Sequence, residues 1–227
     1  MISLQDVQAA QSRIAPYITR TPLLRVPALD EALGCEVYLK FEGFQVMGAF
    51  KLRGAMNKAL SLTQEELDRG IVCASSGNHA QGVACAAHRL GARAVIVMPT
   101  NANPVKLAGV KAFGGQVELV GTLGSQREGR AAQLVEQEGM VNVHPYADPY
   151  VAAGQGTIGL EIIEDQPALD AVAVPIGGGG LISGVATAVK GLAPQVKTIG
   201  VEPAGADRYA RSRAAGQPVT LDKVDTI

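Results

Sequence analysis

The chain of 227 residues is 47% hydrophobic and 18% charged, which excludes a disordered or low-complexity protein and leaves enough length for one large core or two smaller ones. Twenty Lys and Arg balance 21 Asp and Glu for a net charge of −1, so no basic surplus marks a nucleic-acid or anionic-membrane partner. No run approaches the ~18 apolar residues of a membrane helix, and the opening Met1-Ile2-Ser3-Leu4-Gln5-Asp6 does not read as a signal peptide, so a cytoplasmic location is expected.

In chain order, Ser3 and Asp6 have the spacing of a capping box and start a helix. Short runs at 37–41, 71–74, 94–98, 116–120, 141–143, 171–175 and 198–201 read as strands. Several are almost continuously apolar, as strands buried on both faces of a parallel sheet are. Helical patterns lie between them. One runs from about His79 to Leu90 and stops at Gly91. Another opens at Asn103-Pro104, an N-cap followed by a first-turn proline, and stops at Gly114-Gly115. A third runs from about Ser125 to Glu138 and stops at Gly139. Strand and helix alternate, which predicts an α/β, doubly wound architecture. Residues 70–144 hold four strand–helix steps and form a small domain; residues 1–69 and 145–227 form a second, discontinuous one. After the strand at 198–201 only a polar turn is expected, with no helix to close the sheet.

Twenty-seven glycines against 4% aromatics and no Trp fit tight turns and close helix-on-sheet packing. Cys35, Cys73 and Cys85 are odd in number and lack Cys-x-x-Cys spacing, so they read as three buried, reduced thiols rather than a disulfide framework or zinc site. His79 and His88 fall on opposite faces of one helix, which does not favour a shared metal ion.

Three segments carry chemistry. In Met47-Gly48-Ala49-Phe50-Lys51-Leu52-Arg53-Gly54-Ala55, a lysine sits beside a phenylalanine at a helix start. There the helix dipole and partial burial both lower its pKa, as an imine-forming lysine needs; by itself an exposed lysine is the simpler reading. The turn Ala74-Ser75-Ser76-Gly77-Asn78-His79-Ala80-Gln81-Gly82 gathers two hydroxyls, an amide and backbone N–H groups, a cradle for a carboxylate, with simple N-capping as the alternative. The run Pro175-Ile176-Gly177-Gly178-Gly179-Gly180-Leu181-Ile182-Ser183-Gly184 joins a strand to a helix. Each glycine costs about 0.5–1 kcal/mol against alanine, and a turn alone needs one or two. Four point to a backbone that must approach a ligand, most simply a phosphate at the helix N-terminus. A dinucleotide is the other reading, but the Gly-x-Gly-x-x-Gly spacing fails because position 183 is Ser.

Together and in this order, these segments resemble the fold-type II pyridoxal-phosphate enzymes, specifically the threonine/serine dehydratase and serine racemase group. Val143-His144-Pro145-Tyr146, Ala153-Gly154-Gln155-Gly156-Thr157 and Gly200-Val201-Glu202-Pro203 extend the match along essentially the whole chain. The resemblance implies two doubly wound open-sheet domains of the tryptophan synthase β type and pyridoxal 5'-phosphate as cofactor. It implies Lys51 as the Schiff-base lysine, with Phe50 against the cofactor ring and Asn78 on the ring hydroxyl. Gly177, Gly178, Gly179, Gly180 and Leu181 would hold the phosphate through backbone N–H groups. Ser75, Ser76, Gly77 and His79 would line the substrate carboxylate site. The implied reaction converts L-threonine or L-serine to a 2-oxo acid and ammonia, in a homodimer.

Departures from the family's pattern shape these expectations. Ser76 stands where many dehydratases have alanine and the racemases have a catalytic serine, which keeps serine racemase and 3-hydroxyaspartate dehydratase as alternatives. Ala49 replaces the serine usual before Phe-Lys. Glu202 and Ala206 match two cation ligands of racemase-like members, but Arg208 stands where the last carboxylate belongs, so no metal is predicted. The family continues for roughly another hundred residues, within the usual size of a domain. The expectation is therefore a large domain lacking its C-terminal part, with an unpaired sheet edge and exposed apolar surface. A truncated, non-catalytic homologue is the alternative of another class.

Overall fold

The computed structural model describes residues 1–221 and 224–226. In chain order its elements are α1 (Leu4–Ile14), β1 (Leu23–Arg25), α2 (Pro27–Leu33), β2 (Tyr38–Lys40), α3 (Lys51–Ala59), α4 (Gln64–Arg69), β3 (Ile71–Ala74), α5 (Asn78–Leu90), β4 (Ala94–Met98), α6 (Pro104–Ala112), β5 (Gln116–Leu119), α7 (Gly124–Glu138), β6 (Val141–Asn142), α8 (Pro149–Asp165), β7 (Ala171–Pro175), α9 (Gly180–Leu192), β8 (Lys197–Val201) and α10 (Arg208–Ala215). The start and stop residues act as the sequence predicts. Ser3 Oγ accepts from the Asp6 N–H while the Asp6 carboxylate accepts from the Ser3 N–H, closing the capping box of α1. The Asn103 side chain caps α6 with Pro104 at its first position. Gly91 and Gly139 end α5 and α7 in the left-handed region.

Strands β5-β4-β3-β6 form one parallel sheet in that order. Its side chains alternate between two cores. Ile71, Cys73, Ile96 and Met98 join Ala80, Val83 and Ala84 of α5 and Val110 of α6. Val72, Val95 and Val97 join Ala131 and Leu134 of α7 on the opposite face. Helices on both faces make this sheet doubly wound.

Strands β7 and β8 form a separate parallel pair. Val172 and Val174 face Ile158 and Ile162 of α8 and Val185 and Val189 of α9. The opposite face shows Ala171, Ala173, Pro175, Ile199 and Val201 to solvent, with Ile199 47% and Val201 52% exposed. This is the expected apolar surface, and it lies beside the expected open sheet edges. Strands β1 and β2 pair antiparallel in a third, small sheet.

Helix α8 is the hub of the packing, buried continuously from Val151 to Ile162. It meets α3 and α9 almost backbone to backbone. A Cβ at Gly154 would lie 2.6 Å from the Arg53 carbonyl oxygen, and one at Gly184 would lie 2.1 Å from the Ala152 carbonyl oxygen. Only glycine permits these approaches.

Two expectations fail. A helix does follow β8: α10 starts after Asp207, whose side chain makes no capping bond. The cap comes from Glu202, whose carboxylate accepts from the Tyr209 and Ala210 N–H groups at 2.9 Å each. A cap reaching in from seven residues upstream escapes a search for N-cap residues next to the helix. The second failure is Cys35, which is exposed while Cys73 and Cys85 are buried. It follows Gly34, the left-handed end of α2, on the surface.

Candidate active site

The three chemistry-bearing segments sit at helix N-termini. Lys51 is the first residue of α3, the Ser75–Asn78 turn leads from β3 into α5, and the glycine run leads from β7 into α9. The two turns follow the carboxyl ends of parallel strands, where open α/β sheets bind ligands.

Lys51 reaches the loop that follows β6. Its Nζ donates to the Pro145 carbonyl at 2.8 Å and lies 5.2 Å from the centre of the Phe50 ring. Burial holds its ammonium below the ordinary lysine range, because desolvation penalises the charged form. The simpler reading of Lys51 as a solvated surface residue therefore fails. Phe50 packs against the same apolar cluster as Leu181 and Ile182.

Tyr146, next to Pro145, connects Lys51 to the glycine run. A Cβ at Gly178 would fall 2.1 Å from Tyr146 Cδ1, and one at Gly180 would fall 2.9 Å from Tyr146 Cα. Gly179 has φ +90° and Gly177 has open space around its Cβ position. One of the four glycines is thus required by the Tyr146 ring, one by the Tyr146 backbone and one by a turn, so their number alone is no measure of ligand contact. The stronger observation concerns the donors. Among the described residues, the N–H groups of residues 177–182 make no hydrogen bond within the chain, and the first bond of α9 is from Ser183 to the Gly179 carbonyl. Unpaired backbone donors at a helix N-terminus suit a phosphate.

The Ser75–Asn78 turn has the same character. Gly77 is the N-cap of α5 and no side chain caps the helix, so simple N-capping does not account for its serines and asparagine. Ser75 Oγ accepts weakly from the Gly77 N–H at 3.4 Å. Ser76 is exposed. Asn78 is exposed too, and its Oδ1 accepts from Lys106 Nζ of α6. The His79 side chain, by contrast, is buried beneath the turn, with Nε2 2.7 Å from the Val143 carbonyl and Nδ1 without a partner. That bond assigns the proton to Nε2. Burial drives its pKa down to about 4, so the ring is neutral. Only its backbone belongs to the turn's open side. A Cβ at Gly82 would lie 3.3 Å from the Lys51 carbonyl carbon, so the end of this segment brings α5 against α3.

The structure therefore links Lys51 and Phe50 to the glycine run through Pro145 and Tyr146, and α5, which follows the Ser75–Asn78 turn, packs against α3. Sequence reasoning assigned no role to Tyr146. Nor did it find the support beneath Lys51. Arg53 is fully buried and clamps Glu161 at 2.6 and 2.9 Å and Glu42 at 2.8 and 2.9 Å. Lys40 pairs with Glu161 at 2.7 Å. A lone Arg two residues after the lysine gives no such signal in sequence, because its partners lie 11 positions before and 108 after it. No group of three or more His, Cys, Asp or Glu side chains among the described residues is placed to hold a metal ion, and no helix is long and apolar enough to cross a membrane.

Comparison with known proteins agrees with this geometry. The chain is 46% identical to the L-threonine ammonia-lyase of Thermotoga maritima over 99% of its own length and 58% of that protein's. It is 43% identical to the serine racemase of Oryza sativa subsp. indica over 99% of its own length and 66% of that protein's. The structure of maize serine racemase superposes with a TM-score of 0.97 at 43% identity, covering 99% of this chain and 68% of that one. The chain thus spans about three fifths to two thirds of the length of these relatives. The model of the family described as pyridoxal-phosphate dependent enzyme matches residues 14–227, and the chain belongs to that family.

Proposed function

We propose that this chain forms the pyridoxal-phosphate site of an ammonia-lyase acting on L-threonine or L-serine. The observation that carries the reading is the junction of a desolvated lysine amine with six unused backbone donors, made through Pro145 and Tyr146. Bound pyridoxal phosphate supplies an aldehyde that condenses with amines and a ring that withdraws electrons from the neighbouring carbon. The N–H groups of 177–182 would receive the phosphate, Phe50 would face the ring and Asn78 would offer its amide to the ring hydroxyl. Lys51 would hold the aldehyde carbon and, as a free amine, would take the proton from the α-carbon of a bound hydroxy-amino acid, a task for which a lowered pKa suits it. The free N–H groups of the Ser75–His79 turn hold the substrate carboxylate. Residues 70–144 act as the small domain carrying that turn, and residues 1–69 and 145–227 belong to the domain carrying the phosphate.

Serine racemase is the second reading, and exposed Ser76 favours it: a hydroxyl on the turn can return a proton to the face opposite Lys51. Both readings fit a homodimer. The decisive experiment adds pyridoxal phosphate to the purified protein, reduces with borohydride and maps the peptides by mass spectrometry. One adduct on Lys51 is expected; none, or adducts scattered over surface lysines, refutes the site. The same preparation given L-serine separates the activities: 2-oxo acid marks the lyase, D-serine the racemase, and an adduct without turnover marks a cofactor-binding chain that does not catalyse.

A further inference from the structure

The segment Ala153-Gly154-Gln155-Gly156-Thr157 has no part in the site as described, yet it packs against Arg53 and Gly54 in the first turn of the helix that Lys51 begins. The first turn of α3 is irregular. Phe50 is its N-cap and no side chain caps it. The Arg53 N–H turns back to the Phe50 carbonyl at 3.0 Å, in the tighter i to i+3 pattern. The Gly54 N–H, which would ordinarily close the first α-turn on Phe50, instead donates to Gln155 Oε1 of α8 at 3.2 Å. One of the bonds that shape the turn bearing Lys51 is thus supplied by another helix.

Two further contacts hold the same turn. Thr157 Oγ1 donates to the Gly154 carbonyl at 2.7 Å and accepts from Arg53 Nη1 at 3.1 Å. Glu161 takes both terminal nitrogens of Arg53. The lysine is flanked on the other side by Gly82 of α5. Gln155 is fully buried, and its Nε2 has no partner. A methionine would fill this space without burying an unpaired amide. What glutamine adds is the acceptor for Gly54.

We infer that Gln155, with Thr157 and Glu161, is a positioning device that sets the direction of the first turn of α3 and so holds the Lys51 amine on the Pro145 carbonyl. The inference rests on the proposed role of Lys51 but concerns the free amine, so it can be read without cofactor. Without the Gly54 bond the turn relaxes toward an ordinary α-turn, and the amine loses its fixed, desolvated place. The titratable groups that feel the Lys51 charge are His79 on α5 and His144 in the loop after β6, and the variants below leave both unchanged.

The test is trace acetylation of the cofactor-free full chain across pH, with the Lys51 peptide quantified by mass spectrometry. Gln155→Met is expected to raise the midpoint of Lys51 labelling by about one pH unit, a fraction of the 3–5 units that full burial can impose. Thr157→Val, close in shape to the native residue, is expected to raise it less and in the same direction. Ile158→Ala, on the face of α8 turned toward α9, should lower the melting temperature without moving the Lys51 midpoint. An unchanged midpoint in Gln155→Met overturns the inference, as does an equal shift in Ile158→Ala. If Gln155→Met does not fold, an unchanged midpoint in Thr157→Val overturns it. Failure of the proposed function reads differently: wild-type chain forms no Lys51 adduct with pyridoxal phosphate, whatever the labelling shows.

Discussion

Replacing Arg53 by methionine tests the buried ion network most directly. Arg53 and Lys40 balance Glu42 and Glu161, and the side chains of Arg53, Lys40 and Glu161 are almost wholly buried. Methionine conserves much of the volume, so cavity formation is a minor part of the cost. What remains is electrostatic. Lys40 still neutralises Glu161 at 2.7 Å, and Glu42 keeps only the Thr21 hydroxyl at 2.6 Å. Removing one partner from a buried pair costs about 3–5 kcal/mol, and the surviving Lys40 places this case at about 3–4. For a chain of this size that lowers the melting temperature by roughly 6–16 °C. Urea unfolding and calorimetry on wild type, Arg53→Met, Glu42→Gln and Arg53→Met/Glu42→Gln read the effect. The double variant removes the stranded charge and is expected to recover about half of the loss, since an unpaired buried charge costs more than a missing hydrogen bond. A single-variant loss under about 1 kcal/mol, or strictly additive losses, would refute the claim that this network is desolvated and coupled.

Two more outcomes follow from the site. The unfolded chain protonates His79 near its ordinary value of 6.5, whereas the folded chain does so only near 4; between these values the unfolded state binds the extra proton, so stability falls as pH drops. From pH 7 to 5, wild type should lose about 2 kcal/mol more than His79→Gln in urea titrations, and parallel pH dependences would contradict the buried neutral ring. Gly178→Ala drives a methyl into the Tyr146 ring and is expected to cost about 1–3 kcal/mol, with much of that restored by the added substitution Tyr146→Ala; purely additive effects on melting temperature would show that the two do not touch.

Local chemistry explains which features were legible in the sequence. The parallel sheet was visible because β3 and β4 are apolar throughout and their helices carry sequence-adjacent caps such as Asn103 and Gly91. Lys51 and the two turns were visible because each concentrates unusual residues within ten positions. What escaped acts across distance. Glu202 caps α10 from seven residues upstream, Arg53 finds Glu161 across the whole four-stranded sheet, and Tyr146 dictates two glycines that sequence reasoning credited to a ligand. Cys35 escaped for a different reason: residue type predicts average burial, and a cysteine just after a helix end takes the exposure of its turn.

Helix α8 has a mechanical consequence. On one side it touches α3, which begins at Lys51; on another it touches α9, which begins at the glycine run. Both contacts include Cα and carbonyl atoms, which have no rotamers to change. The span from Lys51 to the glycine run is therefore bridged by helices in direct backbone contact, with the Gln155, Thr157 and Glu161 side chains adding polar bonds at the α3 joint. Such a linkage has low compliance. It works as a fixed gauge that sets the distance between the starts of the two helices.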